Sequence, residues 1–175
     1  MTNNPSITVD LSIIIVTWNV WPLLRDCLQS LHTMTMPDPS QPQIRHFGPL
    51  DAPLTVEVIV VDSAGSDETP TRLPAEFPWV RFLRSEKNVG FTGGNNLGYG
   101  MSRGDTIFFL NPDTTLFVQD PTGTADDTRT NPLWQLYQTL NGHAAIGMVG
   151  PQLRYGDGSW QNSRRQLPTP LTGFW

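Results

Sequence analysis

Apolar runs and amphipathic stretches alternate along this chain. "LSIIIVT" (11–17) is β-branched and almost continuously apolar, the pattern of a strand buried on both faces. In "WNVWPLLRDCLQSLH" the residues Leu23, Leu24, Cys27, Leu28 and Leu31 fall at helical spacing, with Asn19 as a cap. "TVEVIVVD" (55–62) predicts a second strand ending on Asp62. "SAGSDETPTRL" predicts a turn and a short helix capped by Ser66 or Asp67, with Glu68 in its first turn. "WVRFLRS" (79–85) reads as a third, partly exposed strand and "DTIFFLNPD" as a fourth. Between them the glycine-rich "NVGFTGGNNLGYGMSRG" leads into a helix from about Gly94 to Ser102.

"NPLWQLYQTLNG" carries helix punctuation, with Pro132 at the first helical position and Gly142 just past the end. "AAIGMVGPQLRY" (144–155) predicts a fifth strand broken at Gly150-Pro151. Residues 34–54, with five prolines, and the polar stretch 119–130 lack periodicity and read as surface loops. Strand and helix alternate about four times, which predicts an α/β fold with a mostly parallel open sheet and right-handed crossovers.

Composition narrows the function classes. A chain of 175 residues is expected to be one domain, with a core large enough to need no disulfide or metal. A net charge of −5 argues against a nucleic acid polymer as partner, which usually needs a basic face. It leaves room for a small phosphorylated ligand. Cys27 is the single cysteine, so no disulfide forms within the chain, as in a reducing compartment. "MTNNPSITVD" has neither the basic nor the apolar region of a secretory signal. No apolar run approaches the ~20 residues of a membrane span.

In open parallel sheets ligands bind outside the carboxyl ends of the strands. Three such ends are polar here: Thr17-Trp18-Asn19, Asp62-Ser63 and Asn111-Pro112-Asp113. Pro112, with no amide hydrogen, stops the fourth strand at a carboxylate. The glycine-rich loop at 88–98 lies at the same edge. Each also has a plain structural reading: Asp62 and Asn111-Pro112-Asp113 as turns, the glycines as close helix–strand packing. "GFTGGNNLGYG" fits neither G-x-G-x-x-G nor the Walker A pattern, and no G-x-S-x-G elbow occurs. His32, His46 and His143 have no metal spacing.

Taken together, "SIIIVTWN", "LLRDCLQSL", "EVIVVDSAGSDET", "NVGFTGGNNLGY", "GDTIFFLNPDTTL" and "IGMVGPQLRYGDGSWQNSRR" resemble the family 2 glycosyltransferases, above all their rhamnosyltransferase-like branch. The resemblance implies the GT-A fold, a Rossmann-like sheet with helices on both faces. It also implies a Mg²⁺ or Mn²⁺ cofactor and a dTDP- or UDP-sugar donor. By this resemblance Asn111-Pro112-Asp113 stands at the family's D-x-D position, with Asp113 as metal ligand and Asn111 assisting through hydrogen bonds. Asp62 and Ser63 match the pair that reads base and ribose, and Val16 and Thr17 border the base. Asn88, Gly90, Gly94 and Asn95 match the N-x-G…N loop, whose amides at a helix N-terminus suit ribose or diphosphate.

Two departures stand out. Ser63 occupies a position where the family usually has Asp or Asn. The acceptor loop and the E-D pair that supplies the family's general base do not follow, so the base is expected outside these 175 residues and the chain reads as a donor-binding portion. Leu167, Leu171, Phe174 and Trp175 are then expected to form an uncovered apolar patch.

The function implied is inverting, metal-dependent transfer of a sugar such as rhamnose to a polysaccharide or lipid-linked glycan of the cell envelope. A cytoplasmic protein, peripheral at the inner membrane face in its full-length form, is implied with it. Two alternatives remain: a non-catalytic nucleotide-sugar-binding protein of the same fold, and a nucleotidyltransferase. The latter should carry a basic glycine-rich signature after the first strand, and "VTWNVWPLL" has none.

Overall fold

The computed structural model describes residues 8–117 and 131–163. The expected loop at 119–130 and the expected patch at 167–175 both lie outside them. Two compact units divide the chain, Met1–Gln135 and Leu136–Trp175.

The first unit holds a six-stranded sheet. Its elements are β1 (Val9–Thr17), α1 (Trp21–Met34), β2 (Met36–Pro37), β3 (Arg45–Phe47), β4 (Leu54–Asp62), α2 (Thr69–Glu76), β5 (Arg81–Arg84), α3 (Gly90–Met101) and β6 (Gly104–Leu110). Helix α4 (Pro132–Asn141) follows. β1 lies between β4 and β6, parallel to both. β4 pairs antiparallel with β3 along its first half and parallel with β5 along its second. The four parallel strands therefore run β5-β4-β1-β6. The chain steps outward from β1 to β4 and β5, then returns to the far side of β1, which creates a topological switch point between β1 and β6.

The sheet is mixed α/β, as the alternation predicts, and β1 is sealed on both faces: Ile13, Ile14 and Ile15 are all fully buried. On one face the side chains of β1 pack directly on glycines of α3. A Cβ on Gly94 would lie 2.5 Å from Val16 Cγ1, and one on Gly98 would strike Ile14 Cγ2. Helix α1 buries Trp21, Leu24, Cys27, Leu28, Leu31 and Met34, the stripe its spacing predicts.

Five expectations need correction. The residue before α2 is Glu68, not Ser66 or Asp67, so Glu68 stands outside the first turn that the sequence predicts for it. Residues 34–54 are not simply a loop, because β2 and β3 extend the sheet as an antiparallel hairpin. Buried Arg45 anchors it, donating to Thr35 Oγ1 at 2.6 Å, Thr35 O at 2.7 Å and His32 O at 3.2 Å. A cation there neutralises the negative end of α1. Helix α3 begins at Gly90, not near Gly94. Asn19 does not cap α1, since the residue before that helix is Val20, with no side-chain cap of its own. The expected fifth strand is absent among the described residues: 144–155 contains only an isolated bridge between Arg154 and Trp160. Gly147, Gly150 and Pro151 interrupt that run, and Met148 is exposed. By contrast α4 is capped as predicted, with Asn131 Oδ1 accepting from the Leu133 amide at 3.0 Å.

Candidate functional site

The carboxyl ends of β1, β4 and β5 are brought level by strand register, with Thr17 opposite Asp62 and Asp62 opposite Arg84. Backbone bonds tie these ends together. The Ser63 amide donates to Thr17 O and the Ser85 amide to Asp62 O, both at 2.9 Å.

Asp62 is the centre of this edge. Its residue is fully buried, Oδ1 accepts from the Gly65 amide at 2.9 Å, and Oδ2 has no hydrogen-bond partner. Arg84 Nε is 3.6 Å from that oxygen, beyond hydrogen-bonding distance. Thr17 Oγ1, on the neighbouring strand, is likewise buried and unpartnered. One oxygen of Asp62 thus makes the turn, and the other accepts no hydrogen bond. Gly65 is required by close approach, because a Cβ there would sit 2.7 Å from Asp62 Oδ1.

Ser63 is engaged elsewhere. Its hydroxyl donates to Asn88 Oδ1 at 3.0 Å and accepts from the Val89 amide at 2.9 Å. Asn88 Oδ1 also accepts from the Gly90 amide at 2.8 Å. Ser63 and Asn88 therefore lock the β4 loop to the start of α3. Gly90 adopts φ +67°, a region that glycine enters without the Cβ penalty.

Gly94 and Asn95 do not belong with Gly90. They are the fifth and sixth residues of α3, past the first turn whose amides lack helical partners. Gly94 packs on Val16, and Asn95 Nδ2 donates to Phe91 O at 3.0 Å. Val16 correspondingly turns its side chain toward the helix.

Asn111-Pro112-Asp113 forms a tight turn beyond β6, closed by the Thr114 amide on Asn111 O at 3.2 Å. Asp113 is exposed. The turn is tied to α1 at two points. Cys27 Sγ–H reaches Asn111 O at 3.8 Å, and the Leu116 amide donates to Ser30 Oγ at 3.0 Å, while Ser30 Oγ donates to Cys27 O. Burial, and secondarily the Asp113 charge, push the Cys27 thiol up to about 12. It is therefore a neutral packing residue, not a nucleophile.

Sequence reasoning misses two participants, Arg84 and Ala64, and leaves the backbone of a third, Asn19, unread. Arg84 gives no motif signal. Asn19 and Ala64 hold left-handed backbone, at φ +56° and +58°, and flank Asp62. Asn tolerates this region, whereas alanine there is a strained position of the kind that gathers at functional sites. Asn19 Oδ1 accepts from the Ser66 amide at 2.6 Å.

Among the described residues no three His, Cys, Asp or Glu side chains gather as a metal cluster. The second unit offers Asp157, whose Oδ1 accepts from the Ser159 amide at 2.8 Å in an exposed turn. Hydrogen bonds from Ser159 hold its carboxyl below the usual range.

The profile of the family described as "Glycosyl transferase family 2" matches residues 12–120, more than half of the chain and all of the edge just described. The succinoglycan biosynthesis protein ExoO of Rhizobium meliloti (strain 1021) is 41% identical over 64 residues, 36% of this chain and 18% of that one. Among solved structures, residues 1–349 of S. aureus TarS are similar at 20% identity and a TM-score of 0.47, over 61% of this chain and 28% of that one. The mannosyltransferase PcManGT from Pyrobaculum calidifontis, solved with GDP-Man and Mn²⁺, is similar at 21% identity and a TM-score of 0.49, over 75% of this chain and 33% of that one. The chain thus spans a third or less of the length of each of these relatives. By the family match across its sheet and carboxyl edge, it belongs to glycosyl transferase family 2, and its α/β sheet is that of the GT-A fold.

Proposed function

We propose that this chain is the donor-binding part of an inverting, metal-dependent glycosyltransferase. It takes a sugar, rhamnose being our first choice, from a dTDP- or UDP-linked donor. The acceptor is a polysaccharide or lipid-linked glycan of the cell envelope. The succinoglycan biosynthesis relative supports the polysaccharide assignment, and the rhamnosyltransferase-like branch rests on the motif order of the sequence. The reaction is assigned to the cytoplasm, at the inner membrane face. No helix among the described residues is long and apolar enough to cross a membrane.

One observation carries the reading: Asp62, fully buried, keeps Oδ2 without a hydrogen bond at the carboxyl edge, one strand from the switch point. An unsatisfied buried acceptor costs about 1–3 kcal/mol. A ligand N–H removes that cost, and the imide of a uracil or thymine base supplies one. Thr17 Oγ1 and the Asn88–Gly90 loop flank the same edge.

The donor set at Asn111-Pro112-Asp113 fits a hard cation in a limited way. It offers one exposed carboxylate and one amide, which suits Mg²⁺ or Mn²⁺ that takes its remaining ligands from phosphate and water. When bound, such an ion neutralises charge on the leaving nucleoside diphosphate. Asp113 would hold it, and Cys27 and Ser30 fix the turn that carries Asp113. The general base is assigned to no described residue.

Calorimetry with UDP, dTDP, CDP and GDP, each with Mn²⁺ and with EDTA, tests the proposal. We expect UDP and dTDP to bind, and only with metal. Absence of any nucleotide binding overturns the donor site, and equal affinity in EDTA overturns the metal role.

A further inference from the structure

We infer that Arg84 is a positioning residue for Asp62: it fixes the carboxylate and balances its charge while leaving Oδ2 open to the ligand. The inference rests on the donor-site reading of Asp62 and adds to it the group through which that carboxylate works.

The geometry has three members. Arg84 stands opposite Asp62 in the β4–β5 register. Its Nη2 donates to Gly65 O at 2.9 Å. Gly65 in turn donates its amide to Asp62 Oδ1 at 2.9 Å. Gly65 is thus held through its amide by the acid and through its carbonyl by the cation. This anchoring stops Nε at 3.6 Å from Oδ2. The guanidinium lies against the open oxygen but makes no hydrogen bond that a ligand would have to displace.

An ionised carboxylate only accepts hydrogen bonds, whereas a protonated one can donate. Arg84, through Gly65, holds Asp62 Oδ2 in place as such an acceptor. The site then recognises a ligand N–H and rejects a ring nitrogen that is itself an acceptor. Uracil and thymine present an N–H at N3, and cytosine presents a lone pair there. Lysine cannot reproduce the arrangement fully, because a single ammonium lacks the fork that reaches Gly65 O and Oδ2 together.

The test is calorimetry of UDP and CDP in saturating Mn²⁺, with wild type, Arg84→Gln, Arg84→Lys, Asp62→Asn and the Arg84→Gln/Asp62→Asn double variant. Arg84→Gln should weaken UDP by about tenfold, the scale of one charge-assisted interaction, and narrow the UDP/CDP ratio. Arg84→Lys should recover part of both. In the Asp62→Asn background Arg84→Gln should cost less than about twofold, because Arg84 acts through Asp62. Amide exchange at Gly65 should speed up in Arg84→Gln, and the half-exposed position makes loss of the fold unexpected.

Equal losses in both backgrounds would mean that Arg84 touches the ligand directly, and would overturn the inference. An unchanged UDP/CDP ratio in Arg84→Gln overturns it also, while the donor site stands. A wild-type chain that binds neither nucleotide overturns the donor-site reading and this inference together.

Discussion

The amide of Trp21, which opens α1, donates at 2.9 Å to the carboxylate of Asp67, 46 residues away. The exchange runs both ways, because Asn19, just before α1, accepts the Ser66 amide. Two loops at the carboxyl edge therefore cap each other's chains, and one of them carries Gly65, whose amide donates to Asp62. Asp67 also accepts from the Thr69 amide at 3.1 Å. Asp67→Ala should destabilise the protein by about 1–2 kcal/mol, the range for losing a helix cap. Urea denaturation checks this, and Asp67→Asn should retain most of the stability.

At the opposite end of the strands Glu57 is fully buried and held by Ser12, Arg81 and Arg103, at 2.7 Å for each closest contact. Burial alone would push its carboxyl up. Hydrogen bonds from Ser12, Arg103 and Arg81 outweigh this and hold it below the usual glutamate range. A depressed folded-state value gives stability that is complete above the unfolded value, about pH 4.3. That stability is lost as pH falls through the lower folded value. Glu57→Gln should flatten this acid limb. At pH 7 it should cost about 3 kcal/mol, the low end for breaking a buried pair, because the Arg103 side chain remains 38% exposed. Denaturant melts at several pH values give both results.

Gly94→Ala should destabilise despite alanine's better helix propensity. The new methyl would meet Val16 Cγ1 at 2.5 Å, and Val16 stands on the central strand. Overpacking of this kind costs ~1–3 kcal/mol, against a gain of about 1 kcal/mol in propensity. A thermal melt showing higher stability would mean that α3 can lift off β1 freely.

Ser30→Ala should loosen the turn that carries Asp113, because the Leu116 amide loses its partner. The expected result is a several-fold rise in the Mn²⁺ concentration that half-saturates UDP binding, consistent with about 1 kcal/mol for one hydrogen bond. No change would show that the turn holds Asp113 without help from α1.

The strands were legible where their pattern is continuous. "SIIIV" and "VIVV" lie buried on both faces, and such runs announce a parallel sheet whatever their neighbours. Helix α1 was legible from its leucine spacing. The β2–β3 hairpin was not: β3 spans three residues within a proline-rich tract, and its anchor, Arg45, works through a tertiary contact that no local pattern records. Helix α3 began early because Asn88 and the positive φ of Gly90 start it, while its five glycines (Gly90, Gly93, Gly94, Gly98 and Gly100) give the segment a poor helix propensity. "AAIGMVGPQLRY" misled in the opposite direction, since β-branched and apolar content without a pairing partner makes no strand. At the site, Asp62 and Asp113 stood out as strand-end acids. Arg84 did not, because its role depends on the β4–β5 register.

The most direct test is a crystal structure of the chain with UDP and Mn²⁺. The account predicts uracil N3–H donating to Asp62 Oδ2 at about 2.7–3.2 Å, with Arg84 still bonded to Gly65 O and the diphosphate held by Mn²⁺ at Asp113. A nucleotide bound elsewhere, with Asp62 Oδ2 still unpaired, would contradict it.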